Sequence, residues 1–116
     1  MKGRPLTRGD IVLVRFPFTD LSGAKLRPAL VLALSGTADI ILVFITSQSV
    51  DAGGRANVRL SPADPEFASA GLKTASTIRL DRLVTLERRL VARRLGRIGP
   101  RTGQAVARAL RAVFNL

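Results

Sequence analysis

Between Gly9 and Gln48 the chain carries three strand-sized apolar runs joined by short polar connections: GDIVLVRFPF, PALVLAL and IILVFITSQ. This feature constrains the fold most. No run approaches the roughly 18 to 20 apolar residues that a membrane-crossing helix needs. Neighbouring parallel strands require long crossovers, so three short-linked strands point to an antiparallel meander. The first run, Gly9 to Phe18, nearly alternates, with Val12, Val14 and Phe16 on one side and Ile11, Leu13 and Arg15 on the other. That pattern describes a strand half buried on one face and almost fully buried on the other. Pro17, Asp20, Ser22 and Gly23 supply turn chemistry before the second strand, Pro28 to Leu34, and SGTAD is a short turn before the third, with its apolar run at Asp39 to Ile45.

The second half is less regular. DAGGRA reads as a loop tip, NVRLS as a short strand, and PADPEFASAGL as a turn-rich excursion. STIRLDRLVTL alternates through Ile78 and Leu80, suggesting a strand followed by a tight bend near Leu83, and a further strand is expected around Leu90 to Arg94. Gly99-Pro100 then breaks the chain. In RTGQAVARALRAVFNL, Val106, Ala109, Leu110 and Val113 recur at helical spacing, predicting an amphipathic terminal helix capped by Thr102 or the preceding turn. The expectation is a single mainly β domain over 1–116, a small antiparallel barrel with a C-terminal helix.

Composition narrows the chemistry. The 116 residues include no Cys and no His, which excludes a disulfide framework, a thiolate metal site and the commonest general acid/base. MKGRPLTRGD has no apolar signal core, so a cytoplasmic protein without membrane association, metal or cofactor is expected. The net charge of +11 would attract a polyanion. Genome composition alone also produces such an Arg excess, so position carries more weight than total. Ten arginines fall between Arg79 and Arg111. The sequence has no G-x-S-x-G motif and no phosphate-cradling glycine loop. An enzyme built from Arg, Lys, carboxylates and hydroxyls suits one reaction well: cleavage of RNA by its own 2′-hydroxyl. There the protein need only position the phosphate, move protons and stabilise charge.

Three polar clusters interrupt the apolar strands. Lys25 and Arg27 precede the second strand, Thr46, Ser47 and Gln48 end the third, and Arg79 and Asp81 stand two apart in IRLDRL, on one strand face. In an antiparallel meander the first two clusters become neighbours. Each also has a plain reading: a solvated loop cation, a polar turn and a surface ion pair of little energetic consequence.

With these residues in view, the chain resembles the MazF/PemK family of type II toxin endoribonucleases. The segment RGDIVLVRFPFTDLSGAKLRPALVL resembles that family's opening strand, loop and strand. ITSQ resembles its third-strand end, and STIRLDRLVTLERR its later S-x-[IV]-R-x-[DE] segment. The resemblance implies an SH3-like barrel, a homodimer, metal-independent cleavage of single-stranded RNA and a cognate acidic antitoxin, with operator DNA reached only through the antitoxin complex. It places Arg27, Thr46 and Asp81 as catalytic residues; Asp81 is a candidate general base, and the division of acid and base roles stays open. It places Ser22, Lys25, Ser47, Gln48, Arg79 and Arg82 in contact with RNA. Some members use a His in the first loop, and this chain has none. Three other classes fit the residues: an interaction toxin of the gyrase-poison type on a related barrel, a basic nucleic-acid-binding module, and an inactive copy of the toxin. The near absence of aromatics, five Phe with no Tyr or Trp, argues against a stacking-based binder.

Overall fold

The computed structural model describes residues 5–16, 25–36, 38–48 and 54–116. The elements run β1 (Asp10–Phe16), β2 (Lys25–Ser35), β3 (Asp39–Thr46), β4 (Asn57–Leu60), α1 (Phe67–Ala70), β5 (Ser76–Glu87), β6 (Val91–Arg97) and α2 (Pro100–Phe114). All strands pair antiparallel in one barrel-like sheet of order β4-β5-β3-β2-β1-β6. The short-linked meander forms as expected, and β1 and β6 pair at one flank.

Three boundaries differ from the sequence reading. Strand β2 starts at Lys25, so Arg27 lies inside the strand, opposite Val14, and not ahead of it. Strand β6 runs on to Arg97, past the expected end at Arg94. PADPEFASAGL includes one helical turn, α1, closed by left-handed Gly71 at φ 74°. Pro17 and Phe18, expected at the end of β1, lie outside the described residues.

The bend expected in STIRLDRLVTL occurs within a continuous strand. Val43 pairs with Leu83 and Ile45 with Ile78, so Phe44 alone faces the four residues 79 to 82 of β5. Such a bulge increases bend and twist. Across it, β5 keeps its bonds to β4, where Asn57 opposes Arg79 and the Leu80 N–H donates to the Ala56 carbonyl at 2.8 Å. The bend divides the core in two. Ile78 and Leu80 join Ile11, Leu30, Val43, Ile45, Val106 and Ala109 beneath α2. Beyond it, Val84 and Leu86 pack against Val12, Val14, Phe16, Ala29, Val31 and Leu42. The two sides of β1 separate accordingly, with Ile11 in one cluster and Val12, Val14 and Phe16 in the other.

Two polar devices lock this frame. Asp10, whose side chain is fully buried, pairs with Arg97 at 2.6 Å and Arg94 at 3.1 Å and accepts the Thr7 N–H at 2.9 Å, tying the N-terminal segment and β1 to β6. Helix α2 begins at Pro100, and its N-cap Gly99 makes no side-chain cap. Its first N–H groups are instead satisfied from a distance, because Glu66 accepts Arg101 N–H at 2.9 Å and Thr102 N–H at 2.8 Å. Thr102, expected as the cap, is buried and donates its hydroxyl to Glu66 at 2.8 Å. A carboxylate at a helix N-terminus is favourable, and these bonds hold the Glu66 carboxyl below its ordinary value. Gly99 makes the approach feasible, since a Cβ there would collide with the Glu66 carboxylate. The face predicted for α2 is borne out at Val106 and Ala109, while Val113 is exposed near the end of the helix.

Candidate functional site

At one end of the sheet, the start of β2 and the end of β3 open a cleft of about 680 Å³. Register explains why these segments meet. Ala29 pairs with Phe44, and Arg27 and Thr46 each lie two residues further along their antiparallel strands, so they share one sheet face. Both residues line the cleft, together with Ser47, Gln48 and Pro28. Two separate polar clusters of the sequence therefore become one site.

Arg27 is exposed and strand-borne. Pro28 confines it to extended backbone, so its guanidinium is carried on a rigid mount. The Thr46 hydroxyl oxygen accepts the Gln48 N–H at 3.1 Å, which fixes the turn that follows β3. With that oxygen engaged as an acceptor, the hydroxyl proton is directed to another partner.

The opposite walls were not found from the sequence. Lys73 and Thr74 come from the loop before β5, and Arg93 comes from β6, opposite Leu13. Lys73 looks like any exposed loop cation, and Arg93 is one of several arginines in RRLVARRLGR. Alternation along β6 separates Arg93, which borders the cleft, from Arg94, which holds Asp10. The loop wall is placed by close backbone packing: a Cβ at Gly71 would strike the Leu95 carbonyl, and one at Gly96 the Ser69 carbonyl. Arg27, Lys73 and Arg93 thus bring three cations to one cleft, and no carboxylate stands among the described residues lining it. A cleft with this lining suits a phosphate oxyanion.

The third expected cluster is placed elsewhere. Arg79, Asp81 and Arg82 sit in the β5 bulge and do not line the cleft. Arg79 Nη2 lies 3.7 Å from Asp81 Oδ2, with both side chains partly exposed. The slip against β3 carries this segment away from Thr46, so Asp81 is not brought beside Arg27. Lys25 is exposed at the first position of β2, opposite Phe16, and also lies outside the lining. Ser22 falls outside the described residues. No group of three or more His, Cys, Asp or Glu that could hold a metal occurs among the described residues, and no helix there is long and apolar enough to cross a membrane.

Fold and cleft together define a small, basic, barrel-like β domain with a cationic cleft at one end of its sheet. The chain belongs to the family of PemK-like, MazF-like toxins of type II toxin–antitoxin systems, whose profile matches residues 7–114. Solved structures share the fold. An endoribonuclease from a Mycobacterial species, in complex with its cognate antitoxin, superposes with a TM-score of 0.72 at 22% identity, covering 97% of both chains. A second endoribonuclease from a Mycobacterial species gives 0.70 at 22% identity, covering 100% of this chain and 97% of that one. The Mycobacterium tuberculosis toxin MazF-mt6 gives 0.72 at 21% identity, over 92% of this chain and 97% of that one. No curated protein sequence matches this chain significantly.

Proposed function

We propose that this toxin is a metal-independent endoribonuclease acting on single-stranded RNA. One observation carries the reading: Arg27 and Thr46, 19 positions apart in the sequence, share a face and line one cleft with Lys73 and Arg93. The fold it shares with endoribonucleases supports the same reaction.

In this mechanism the 2′-oxygen attacks the adjacent phosphorus and the P–O5′ bond breaks. The products are a 2′,3′-cyclic phosphate and a 5′-hydroxyl. Arg27 grips two phosphate oxygens as charge builds on the pentacoordinate phosphorus and delivers a proton towards the leaving 5′-oxygen. Thr46 donates its hydroxyl proton to a non-bridging oxygen, and Ser47 and Gln48 hold the neighbouring nucleotide. Lys73 and Arg93 neutralise the flanking phosphates. Asp81 was the sequence's candidate base, but its carboxylate faces Arg79 and not the cleft lining. We assign it to holding Arg79, and the 2′ proton passes to solvent in the open cleft.

The same lining explains inhibition in a type II system. An acidic antitoxin segment competes with RNA for the three cations, and operator DNA is reached only through that complex. The reading includes a homodimer, as the family resemblance implies. The setting is the cytoplasm, where mRNA is the target.

The test is incubation of purified protein with a defined RNA in the presence of EDTA, followed by mapping of the ends. Cyclic phosphate and 5′-hydroxyl ends are expected, with cleavage abolished by Arg27→Ala or by a 2′-deoxy nucleotide at the attacked position. Intact RNA at high protein concentration would overturn the proposal in favour of an interaction toxin.

A further inference from the structure

The face that carries Arg27 and Thr46 does not stop at the cleft. Thr46 pairs with Thr77 on β5, and Thr77 pairs with Arg59 on β4, so all four positions lie in one row across four strands. Thr77 itself is buried, and exposed Arg59 fastens the outer end of the row, donating from Nη1 to Thr77 Oγ1 at 3.1 Å. Arg79, opposite Asn57 and two residues beyond Thr77, lies on the same face. Two strand spacings separate Thr46 from Arg59, roughly 10 Å. At β4 the row meets a hollow of about 480 Å³ between that strand and α2, lined by Arg55, Arg59 and Arg108 over the small side chains of Ala105, Ala109 and Ala112. Among the described residues, no aromatic side chain and no carboxylate lines this hollow. An adjoining hollow of about 250 Å³ adds Arg101 and the carboxylate of Asp64, which accepts the Glu66 N–H at 2.8 Å.

From this arrangement we infer that the RNA track continues out of the cleft past buried Thr77, over the exposed Arg59 side chain, and that Arg55, Arg59 and Arg108 bind phosphates of the same strand beside α2. The inference rests on the endoribonuclease reading and extends its substrate path. Three arginines around an alanine floor can approach a sugar–phosphate chain closely and grip its oxygens in pairs. Among the described residues, the hollow offers no aromatic side chain on which to stack bases. It therefore binds backbone without reading sequence, and it lengthens the footprint while leaving the choice of cleavage site to the cleft. Arg59, which joins the row at the β4 edge and also lines the hollow, links it to Thr46 and favours RNA over an acidic polypeptide as the occupant. The charge run of the terminal helix, otherwise unrelated to the cleft, acquires a use.

The experiment compares the full chain with the double variant Arg59→Gln/Arg108→Gln on two RNAs sharing one cleavage site, one barely longer than the site and one extended on both sides. For the long RNA, KM should rise about tenfold with kcat unchanged, while the short RNA is cleaved as before. The slope of log affinity against log salt should flatten by about 1.4, since each lost single-strand phosphate contact contributes about 0.7. Thr77→Val, which removes the Arg59 bond but keeps both charges, should leave the salt slope unchanged, separating charge from local structure. Equal losses on both RNAs, an unchanged long-RNA KM, or lost affinity for a polyglutamate peptide without any RNA effect would each overturn the inference. Binding of an uncleavable oligonucleotide carrying 2′-deoxy at the scissile position reads the track even if the wild type cleaves nothing. A salt slope there that the double variant does not change would sink the track by itself.

Discussion

Replacing Asp10 by Ala should cost more stability than removal of any surface charge in this chain. The carboxylate is fully buried and meets Arg97 at 2.6 Å, Arg94 at 3.1 Å and the Thr7 N–H at 2.9 Å. Its removal leaves two guanidinium groups facing each other across the space it filled. Breaking a buried ion pair typically costs about 3–5 kcal/mol. Two facts move the figure to the lower end. Arg94 and Arg97 are 19% and 44% exposed, and each keeps a carbonyl partner, Pro5 O at 3.0 Å and Arg8 O at 3.2 Å. About 3 kcal/mol is therefore expected. With a urea slope of about 2 kcal/mol/M, the midpoint falls by about 1.5 M at unchanged slope. The thermal midpoint drops by about 12 °C, at about 4 °C per kcal/mol for a domain of this size. Because the carboxylate is buried, the loss should persist in high salt, where exposed pairs are screened. A loss under 1 kcal/mol, or one that vanishes at 1 M salt, would show that Asp10 is not the clamp between β1 and β6.

Further outcomes follow from the same contacts. Asp81→Asn should retain cleavage within a few-fold of wild type, whereas a loss approaching that of Arg27→Ala would restore Asp81 as the base. Lys73→Ala or Arg93→Ala should weaken RNA affinity about tenfold each, read by filter binding at fixed salt, with unchanged melting temperature. Gly99→Ala should lower the melting temperature and the α2 helical signal, because its Cβ displaces the Glu66 carboxylate from the helix N-terminus. The folded state holds the Glu66 carboxyl below its ordinary value of 4.5. Its stabilising contribution is thus complete above that pH and is lost as pH falls through the depressed value. Glu66→Gln should flatten that part of the acid limb of a stability–pH curve, and an unchanged limb would refute the cap.

The sequence alone determined the class of fold, because its information is local. Apolar runs of strand length with short turns allow little besides an antiparallel meander, and the alternation in IVLVRF settles which side chains of β1 go to which core cluster. The helix at the end was legible for the same reason, from spacing at Val106 and Ala109. Half of the cleft was legible too, since hairpin topology necessarily sets the start of β2 beside the end of β3 and so pairs Arg27 with Thr46. Motif resemblance added the reaction, but it grouped Asp81 with them. Tertiary structure separated Asp81, because the slip of β5 against β3 depends on how two core clusters share one bent strand. It also supplied Lys73 and Arg93, whose positions follow from α1 packing on β6, and the Glu66 cap of α2, which joins residues 35 and 36 positions apart. Such placements arise from backbone approaches at Gly71 and Gly96, and from the Glu66 side chain reaching Gly99, between segments distant in the chain, and no periodicity or propensity within either segment encodes them.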